Sequence, residues 1–159
     1  MGFKIARSFI IYLASLSFVG YFPFFPGTLG TLLALLAYLY LSKVTLSVFW
    51  YGLILVSLIL IGVLICHLAE KFLSEKDPPQ IILDEFLGYL VAVFLIPFDL
   101  RNIVASFLLF RFLDISKPFF IKKLQNISGG IGILADDLAA GIITNLILRL
   151  SQLLEKLIK

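Results

Sequence analysis

Residues 46–64 form a predominantly apolar run without a charged residue, and this run limits the fold more than any other feature of the chain. A helix of about 20 apolar residues spans the hydrocarbon core of a bilayer. Composition extends this conclusion to the whole chain, since 61% of its 159 residues are hydrophobic and only 14% are charged. Soluble domains are about half apolar and about a quarter charged. The chain is therefore predicted to be a single membrane-embedded domain over residues 1–159.

Other apolar segments predict that the protein is an all-α, polytopic helical bundle with one polar face. Residues 5–19 predict a retained helix, either interfacial or partly inserted, because an aromatic stretch with prolines follows it instead of a small-residue cleavage site. Several of the remaining segments are shorter than a full span, so short or partly re-entrant helices are expected. These segments are residues 31–41, 84–96 and 103–112. Residues 142–148 continue the helix that carries Asp136 and Asp137, and an amphipathic tail follows at 149–159.

The order of these helices predicts the membrane orientation. The C-terminal end of the helix at 46–64 lies on one side of the membrane. If each following segment crosses in turn, the acidic, basic and glycine-rich stretches described below all fall on that same side. The loops there carry five lysines, whereas the opposite turns carry Lys43 and Arg101. Because an excess of lysine and arginine is typical of cytoplasmic loops, the polar face is expected to lie on the cytoplasmic side.

Two pairs of adjacent acids interrupt the apolar sequence. Asp136 and Asp137 follow a glycine cluster, and Asp84 and Glu85 come shortly after the loop at 74–79. Neighbouring carboxylates repel each other and lose hydration in an apolar segment, so a bound divalent cation is the expected compensation. The alternative is a solvated helix start, where the helix dipole favours carboxylates.

A glycine follows one acid of each pair at the same spacing. Gly88 lies four residues after Asp84, and Gly141 lies four residues after Asp137, so each glycine is one turn further along the same helix face. Small residues allow membrane helices to approach closely. The spacing predicts that these two helices pack along their glycine faces and bring both acid pairs together.

A third polar segment supplies positive charge beside a further acid. Arg111 and Asp114 are three residues apart and share a helix face, and Lys117 follows them. All the acids together offer only oxygen ligands, which suit Mg²⁺ and not zinc. Arginine and lysine bind phosphate oxygens. These acids and bases together predict a site for a phosphate ester. Because the site is expected at the level of the lipid headgroups, the predicted substrate is a phospholipid. The alternative is a structural salt-bridge network.

Two glycine-containing stretches are further candidates for phosphate contacts. Backbone amides around Gly129 and Gly130 can form an anion nest. At 26–31, proline and glycine followed by threonine indicate a helix start, where free amides and the hydroxyls of Thr28 and Thr31 can hold a phosphate. The alternative at this position is ordinary N-capping by Thr28.

Scarce residue types exclude other kinds of chemistry. Cys66 is the only cysteine and His67 the only histidine, so an intrachain disulfide and any lipid-phosphatase mechanism with several histidines are excluded. The net charge of +3 fits anionic lipid headgroups better than nucleic acid. A divalent-cation transporter stays an alternative function, although Arg111 and Lys117 would repel the ion.

Four motifs occur in order along the chain. They are PGTLGT at 26–31, LDEFLG at 83–88, FRFLDISKP at 110–118 and GGIGILADDLAAG at 129–141. In this order they resemble the phosphatidylglycerophosphatase A family of bacterial inner-membrane lipid phosphatases. The resemblance implies Mg²⁺-dependent removal of the terminal phosphate from phosphatidylglycerophosphate, a membrane lipid, to give phosphatidylglycerol.

The resemblance also implies a role for each polar residue at a matching position. Five acids are the expected catalytic residues, with Asp114 as a metal ligand or the partner of one. The expected metal ligands are Asp84, Glu85, Asp136 and Asp137. The expected phosphate-binding residues are Arg111, Lys117, Thr28, Thr31, Gly129 and Gly130. Either an activated water or one of the acids is expected to attack the phosphorus.

Overall fold

The structure is a computed structural model that describes residues 2–44, 47–124 and 126–158. Within these ranges the chain forms seven α-helices, one short 3-10 helix and no β-strand, which confirms the all-α prediction. The helices are α1 (Gly2–Ala14), α2 (Pro26–Leu41), α3 (Val48–Leu73), α4 (Leu83–Ala92), α5 (Leu100–Ser116), α6 (Phe119–Leu124) and α7 (Gly130–Ile158), with the 3-10 helix at Val19–Tyr21.

Helix α3 contains the apolar run predicted from the sequence. It begins at Val48, where the Ser47 hydroxyl accepts a hydrogen bond from Trp50 N; Leu46, the predicted first residue, lies outside the described residues. Large apolar side chains are exposed along much of its length, as is typical of a helix that faces lipid. In the described part of the chain, α3 and α7 are long and apolar enough to cross a membrane, and α2 is a shorter apolar helix.

Helices α4 and α7 make the most extensive helix contact, along the two glycines singled out by their spacing. A methyl group at Gly88 would lie 2.7 Å from the carbonyl oxygen of Asp137, and one at Gly141 would overlap the carbonyl oxygen of Gly88. The two backbones therefore touch, which confirms the predicted pairing. Helices α2 and α3 also pack against α4, and α5 packs against α7, so the short helix α4 lies inside the bundle.

Helix α4 ends at Ala92, so the prediction that it continues to residue 96 is wrong. The side-chain amide of Asn145 on α7 donates hydrogen bonds to the carbonyl oxygens of Val91, Ala92 and Phe94 at 3.3, 3.0 and 2.9 Å. Arg149 donates a further bond to the Phe94 carbonyl. Non-helical backbone in apolar surroundings needs such partners. Helix α7 supplies them and allows α4 to stop early.

Helix α1 ends at Ala14, so the prediction that it continues to residue 19 is wrong. The Ser15 hydroxyl donates to the carbonyl oxygen of Ile11 at 2.7 Å and accepts from Phe18 N at 3.1 Å. Serine side chains that bond nearby backbone in this way compete with helix. The chain therefore turns after Ser15.

Two other helices are longer than predicted. Helix α2 begins at Pro26, so residues 26–31 are already helical, with proline at a favoured first position. Phe25 occupies the N-cap position, and capping by Thr28 is therefore wrong. Helix α5 begins at Leu100, because an Asp99 oxygen accepts a 2.9 Å hydrogen bond from Asn102 N and caps it.

Candidate active site

Three carboxylates converge where α4 and α7 pack together. One oxygen from each of Asp84, Glu85 and Asp137 lies within 4.8 Å of the other two, and these three residues are here called the acid cluster. Asp84 and Asp137 are buried and Glu85 is half-buried. Each of the three has a buried oxygen that no hydrogen-bond donor among the described residues contacts: Asp84 Oδ1, Glu85 Oε2 and Asp137 Oδ1. Ionised carboxylates this close together repel one another unless a positive charge lies between them.

Local structure explains why these acids meet. Asp84 and Glu85 occupy the first turn of α4, where the helix dipole favours negative charge. Asp137 lies further along α7, opposite Gly88. A methyl group at Gly88 would lie 2.9 Å from the Cβ atom of Asp137. The absence of a side chain at Gly88 thus sets how closely the Asp137 carboxylate approaches α4.

Arg111 and Asp114 form a salt bridge near the end of α5, in agreement with their predicted shared face. Both side chains are largely buried, with relative exposures of 14% and 9%. The Arg111 Nε atom is also buried and contacts no acceptor in the described part of the chain. Arg111 therefore keeps a free donor while Asp114 holds its guanidinium in place, an arrangement suited to a phosphate oxygen.

Lys117 pairs with Asp136, the fourth predicted metal ligand. The Nζ atom of Lys117 donates a hydrogen bond to Asp136 Oδ2 at a distance of 2.5 Å. Burial lowers the pKa of Lys117, but the hydrogen bond to Asp136 and the charges of Asp137 and Asp114 outweigh burial and raise that pKa above its ordinary value. Lys117 is therefore charged at neutral pH and balances Asp136. Among the described residues, Asp136 does not belong to the acid cluster, so its role as a metal ligand stays a prediction.

The first turn of α2 faces the same site. A methyl group at Gly27 would overlap Glu85 Oε1 and would lie 3.4 Å from Arg111 Nη1. Backbone N–H groups in the first turn of a helix have no intrahelical acceptor, and those of Gly27 and Thr28 belong to this class. The first turn of α2, to which these two amides belong, thus begins beside Glu85. The sequence indicated a helix start here but not that Gly27 contacts the acids.

The two threonines of this helix differ in their surroundings. Thr28 is half-buried in the first turn of α2. Thr31 is fully buried, and its hydroxyl donates a 3.0 Å hydrogen bond to the carbonyl oxygen of Gly27. That bond occupies the only proton of the Thr31 hydroxyl. Phosphate binding by Thr28 and Thr31 stays a prediction.

The glycines before Asp136 allow close packing on α3. Gly129 has a left-handed backbone with φ +77°, and a methyl group there would lie 2.6 Å from His67 Nδ1. A methyl group at Gly130 would overlap the carbonyl oxygen of Val63. Helix packing accounts for the absence of side chains at both glycines, and their contact with phosphate stays a prediction.

Asp77 is an acid near the site that the sequence did not single out. Desolvation and the nearby carboxylate of Asp136 raise its pKa above the ordinary value. With Glu70, Lys76 and Gly129, it lines a polar cavity of about 320 Å³. Its position just before α4 was a usable signal, but the residues around it were interpreted only as a loop.

The acid cluster fits a hard divalent cation. The convergent group in the described chain consists of carboxylates alone, and each contributes an oxygen without a donor. Oxygen-only donor sets suit Mg²⁺ rather than zinc. Arg111 and the free amides of α2 lie beside this cluster. A cation and nearby donors together can hold a phosphate group.

Comparisons with known proteins agree with this chemistry. The family model for phosphatidylglycerophosphatase A matches residues 12–152. The chain is 38% identical over 96 residues to phosphatidylglycerophosphatase A of Escherichia coli, covering 59% of this chain and 56% of that protein. It is 36% identical over 110 residues to the protein of the same name from Haemophilus influenzae, covering 64% and 66%.

A third relative carries a different name. The chain is 32% identical over 80 residues, 48% of its length, to a Bacteroides thetaiotaomicron protein provisionally named a phosphatidylinositol-3-phosphatase, of which 50% is covered. The three matches thus cover from half to just under two thirds of the relatives. No solved structure matches the chain significantly.

Proposed function

Because the chain belongs to the phosphatidylglycerophosphatase A family, we propose that it hydrolyses the terminal phosphomonoester of phosphatidylglycerophosphate to give phosphatidylglycerol. Relatives named for this activity in two bacteria support the proposal. Its main structural support is the convergence of three unpaired carboxylate oxygens beside Arg111 and the first turn of α2. This combination suits a metal-dependent phosphatase.

In this proposal Asp84, Glu85 and Asp137 hold Mg²⁺, and Asp136 is a fourth candidate ligand. Bound there, Mg²⁺ supplies charge neutralisation and polarisation of the phosphoryl group. The burial of Asp84 and Asp137 and the half-burial of Glu85 support this assignment, since three like charges in apolar surroundings are costly without a cation.

The bases are proposed to position the phosphate. Arg111 is held by Asp114 and Lys117 by Asp136, so both cations are oriented before the substrate arrives. Donors fixed in this way stabilise charge that develops in the transition state without reorganisation. The amide of Gly27 is a further donor at the edge of the site.

Two routes to cleavage of the P–O bond fit this site. In the first, an acid of the site accepts a proton from the attacking water. In the second, a carboxylate attacks phosphorus and forms a phosphoaspartate or phosphoglutamate that water then hydrolyses. Rapid quenching of the reaction with a radiolabelled lipid distinguishes them, because only the second route leaves label on the protein.

We further propose that the protein is a multi-pass protein of a bacterial inner membrane, with the acid cluster on the cytoplasmic side. The apolar helices α3 and α7, and the shorter α2, support several crossings. The lysine-rich loops on the side of the acid cluster support the cytoplasmic orientation.

Phosphate release by the purified protein tests the proposed reaction. The substrates are phosphatidylglycerophosphate, phosphatidic acid and phosphatidylinositol 3-phosphate, the last because of the Bacteroides relative. We expect the fastest turnover with the first lipid, complete loss in EDTA and recovery with Mg²⁺.

Two variants make this assay specific for the site. Asp137→Asn is expected to lower kcat by at least about 100-fold, an effect typical of losing a group that acts on transition-state charge. Asp99→Asn is the matched control, since asparagine also caps a helix and Asp99 lies at the start of α5. Equal turnover by wild type and Asp137→Asn, or no release from any of the lipids, contradicts the proposal.

A further inference from the structure

A row of exposed aromatic side chains precedes α2. These residues, here called the aromatic rim, are Phe18, Tyr21, Phe22, Phe24 and Phe25. Their relative exposures range from 48% at Tyr21 to 79% at Phe25. Aromatic residues with this exposure are unusual on a surface that faces water, and they favour the interface between lipid headgroups and acyl chains.

The backbone of the aromatic rim is held in place at its start. Gly20 is buried, and its N–H donates a 2.9 Å hydrogen bond to the carbonyl oxygen of Ser15. A methyl group at Gly20 would overlap the carbonyl oxygen of Gln80, in the segment that leads into α4. The 3-10 helix therefore packs against the chain that carries the acids, and the exposure of its rings does not result from a loose segment.

Contacts between the rings also order the rim. Phe18 and Tyr21 pack edge to face with centroids 5.9 Å apart, and Phe22 and Phe24 do the same at 6.1 Å. Tyr12 of α1 adds a third contact of this kind with Phe18 at 5.4 Å. Each pair leaves ring surface exposed. The rim is thus a preformed apolar surface.

The rim ends at the candidate active site. Phe25 adopts a left-handed backbone with φ 52°, which bulky residues rarely do unless the surrounding structure enforces it. Two residues later, Gly27 lies so close to Glu85 that a methyl group there would overlap Glu85 Oε1. Two steps along the chain separate Cα atoms by at most about 7.6 Å. The backbone of the last rim residue therefore lies within about 8 Å of the glycine that packs against Glu85.

We propose that the aromatic rim is a lipid-docking surface that inserts at the headgroup level of the bilayer and presents a phospholipid headgroup to the acid cluster. The identity of that lipid as a substrate rests on the proposed function, whereas insertion of the rim does not.

Charge complementarity favours anionic lipid as the occupant. Lys4 and Phe18 line one shallow surface at the junction of α1 and the rim, and Arg7 lies on the same helix. Basic residues at this level attract anionic headgroups. A two-fold contact between copies across this surface would instead bring the Lys4 side chains of both copies to one interface, which repulsion disfavours.

Fluorescence tests insertion without any need for turnover. Trp50 is the only tryptophan, so Phe24→Trp in a Trp50→Phe background reports on the rim alone. In phosphatidylglycerol-containing vesicles with brominated acyl chains, we expect stronger quenching by bromines near the headgroup than by deep ones, and weak quenching by aqueous iodide. Ser74→Trp in the same background is the water-exposed control. Iodide quenching equal to that of the control would show that the rim faces water and would overturn the proposal. Emission that depends on the protein-to-lipid ratio would show that a second copy covers the rim and would also overturn it.

Kinetics test presentation of the headgroup. The double variant Phe24→Ser/Phe25→Ser is expected to lower kcat/KM at least about ten-fold on long-chain phosphatidylglycerophosphate in vesicles, through KM. Dihexanoyl phosphatidylglycerophosphate below its micelle concentration should be turned over as by wild type, because it needs no docking. Tyr40→Ser, an exposed aromatic at the end of α2, is the control. An equal loss of kcat/KM on both substrates would show that the rim only supports the start of α2, and it would overturn the proposal that the rim presents the headgroup. If wild type turned over neither substrate, the proposed function would be contradicted, and the fluorescence result alone would decide whether the rim inserts.

Discussion

Asp136 and Asp137 are neighbours in the chain but have different surroundings in the folded protein. Consecutive helix residues do not share a face, so the two carboxylates point in different directions. Asp136 pairs with Lys117, whereas Asp137 joins Asp84 and Glu85. One acid is thus balanced by a protein cation and the other is not. Ionised carboxylates at the second position therefore repel one another when no cation is bound between them.

Removing the Asp137 charge should therefore have opposite effects with and without metal. In EDTA, Asp137→Asn is expected to raise Tm because it relieves repulsion within the acid cluster. With Mg²⁺ at about 100 times its Kd, wild type should gain about 2.7 kcal/mol of stability, and the variant should gain little. Thermal unfolding in detergent measures both. Asp136→Asn is the matched control and should lower Tm in EDTA, since it leaves Lys117 unpaired. A lower Tm of Asp137→Asn in EDTA would count against a cation site.

The Lys117–Asp136 pair should contribute to stability as well as to phosphate binding. Lys117→Met leaves a buried carboxylate unpaired and is expected to cost about 2–3 kcal/mol, less than a fully buried pair because the Lys117 side chain is 27% exposed. Because folding raises the pKa of Lys117, this contribution is complete at neutral pH and is lost as pH rises above the ordinary value of 10.5.

Chemical unfolding of the single variant and of Lys117→Met/Asp136→Asn checks this expectation. The double variant should recover most of the lost stability but not phosphate release. Recovery of both would show that Lys117 acts only in folding.

At the scale of helices, the contact between α4 and α7 positions the acid cluster. Gly141→Ala introduces a methyl group into the carbonyl oxygen of Gly88 and should destabilise the protein by about 1–3 kcal/mol. It should also lower kcat, because α4 must move away from α7 and separate Asp84 from Asp137. Gly52→Ala on α3 is the control, since its methyl group would meet only the Phe94 ring edge at 3.7 Å. Equal unfolding midpoints and equal kcat for the two variants would show that the glycine contact does not position the acids.

The sequence predicted this helix pairing because its signal is local to each partner. A glycine one turn after an acid can be recognised in either segment alone, and both signals agree. The early end of α4 had no such signal, since Asn145, which bonds its last carbonyls, lies more than 50 residues away. Contacts between distant segments decide such ends, and a single sequence does not display them.

The candidate site also combines features that have a local sequence signal with features that depend on contacts between distant segments. Its acids and bases were predicted by residue type, and the convergence of Asp84, Glu85 and Asp137 follows the predicted pairing. The contact of Gly27 with Glu85 and the proximity of Asp77 to Asp136 were missed. Both depend on how α2 and the loop before α4 pack onto the bundle. Neither residue carries a distinctive motif for that packing.

At the scale of the whole molecule, the two ends of the bundle differ in chemistry. The acid cluster and its bases are largely buried at one end. At the other end, Arg101 and Glu155 form a 2.6 Å salt bridge with side chains 67% and 45% exposed. Exposed pairs of this kind contribute little to stability. This end is therefore suited to contact with water or headgroups, and the chemistry is concentrated at the opposite end.

Orientation of these ends across the membrane is testable with single cysteines. In a Cys66→Ser background, Ser74→Cys lies at the acid-cluster end, just after α3, whereas Ser42→Cys follows α2 and Ser151→Cys lies near the end of α7. Serines 42, 74 and 151 are exposed. With an impermeant maleimide, we expect labelling of Ser42→Cys and Ser151→Cys in intact spheroplasts, and of Ser74→Cys only after the membrane is opened. Labelling of Ser42→Cys without Ser151→Cys would mean that α7 does not cross. The reverse pattern would place the acid cluster, together with the lysine-rich loops on its side, outside the cell, contrary to the positive-inside rule.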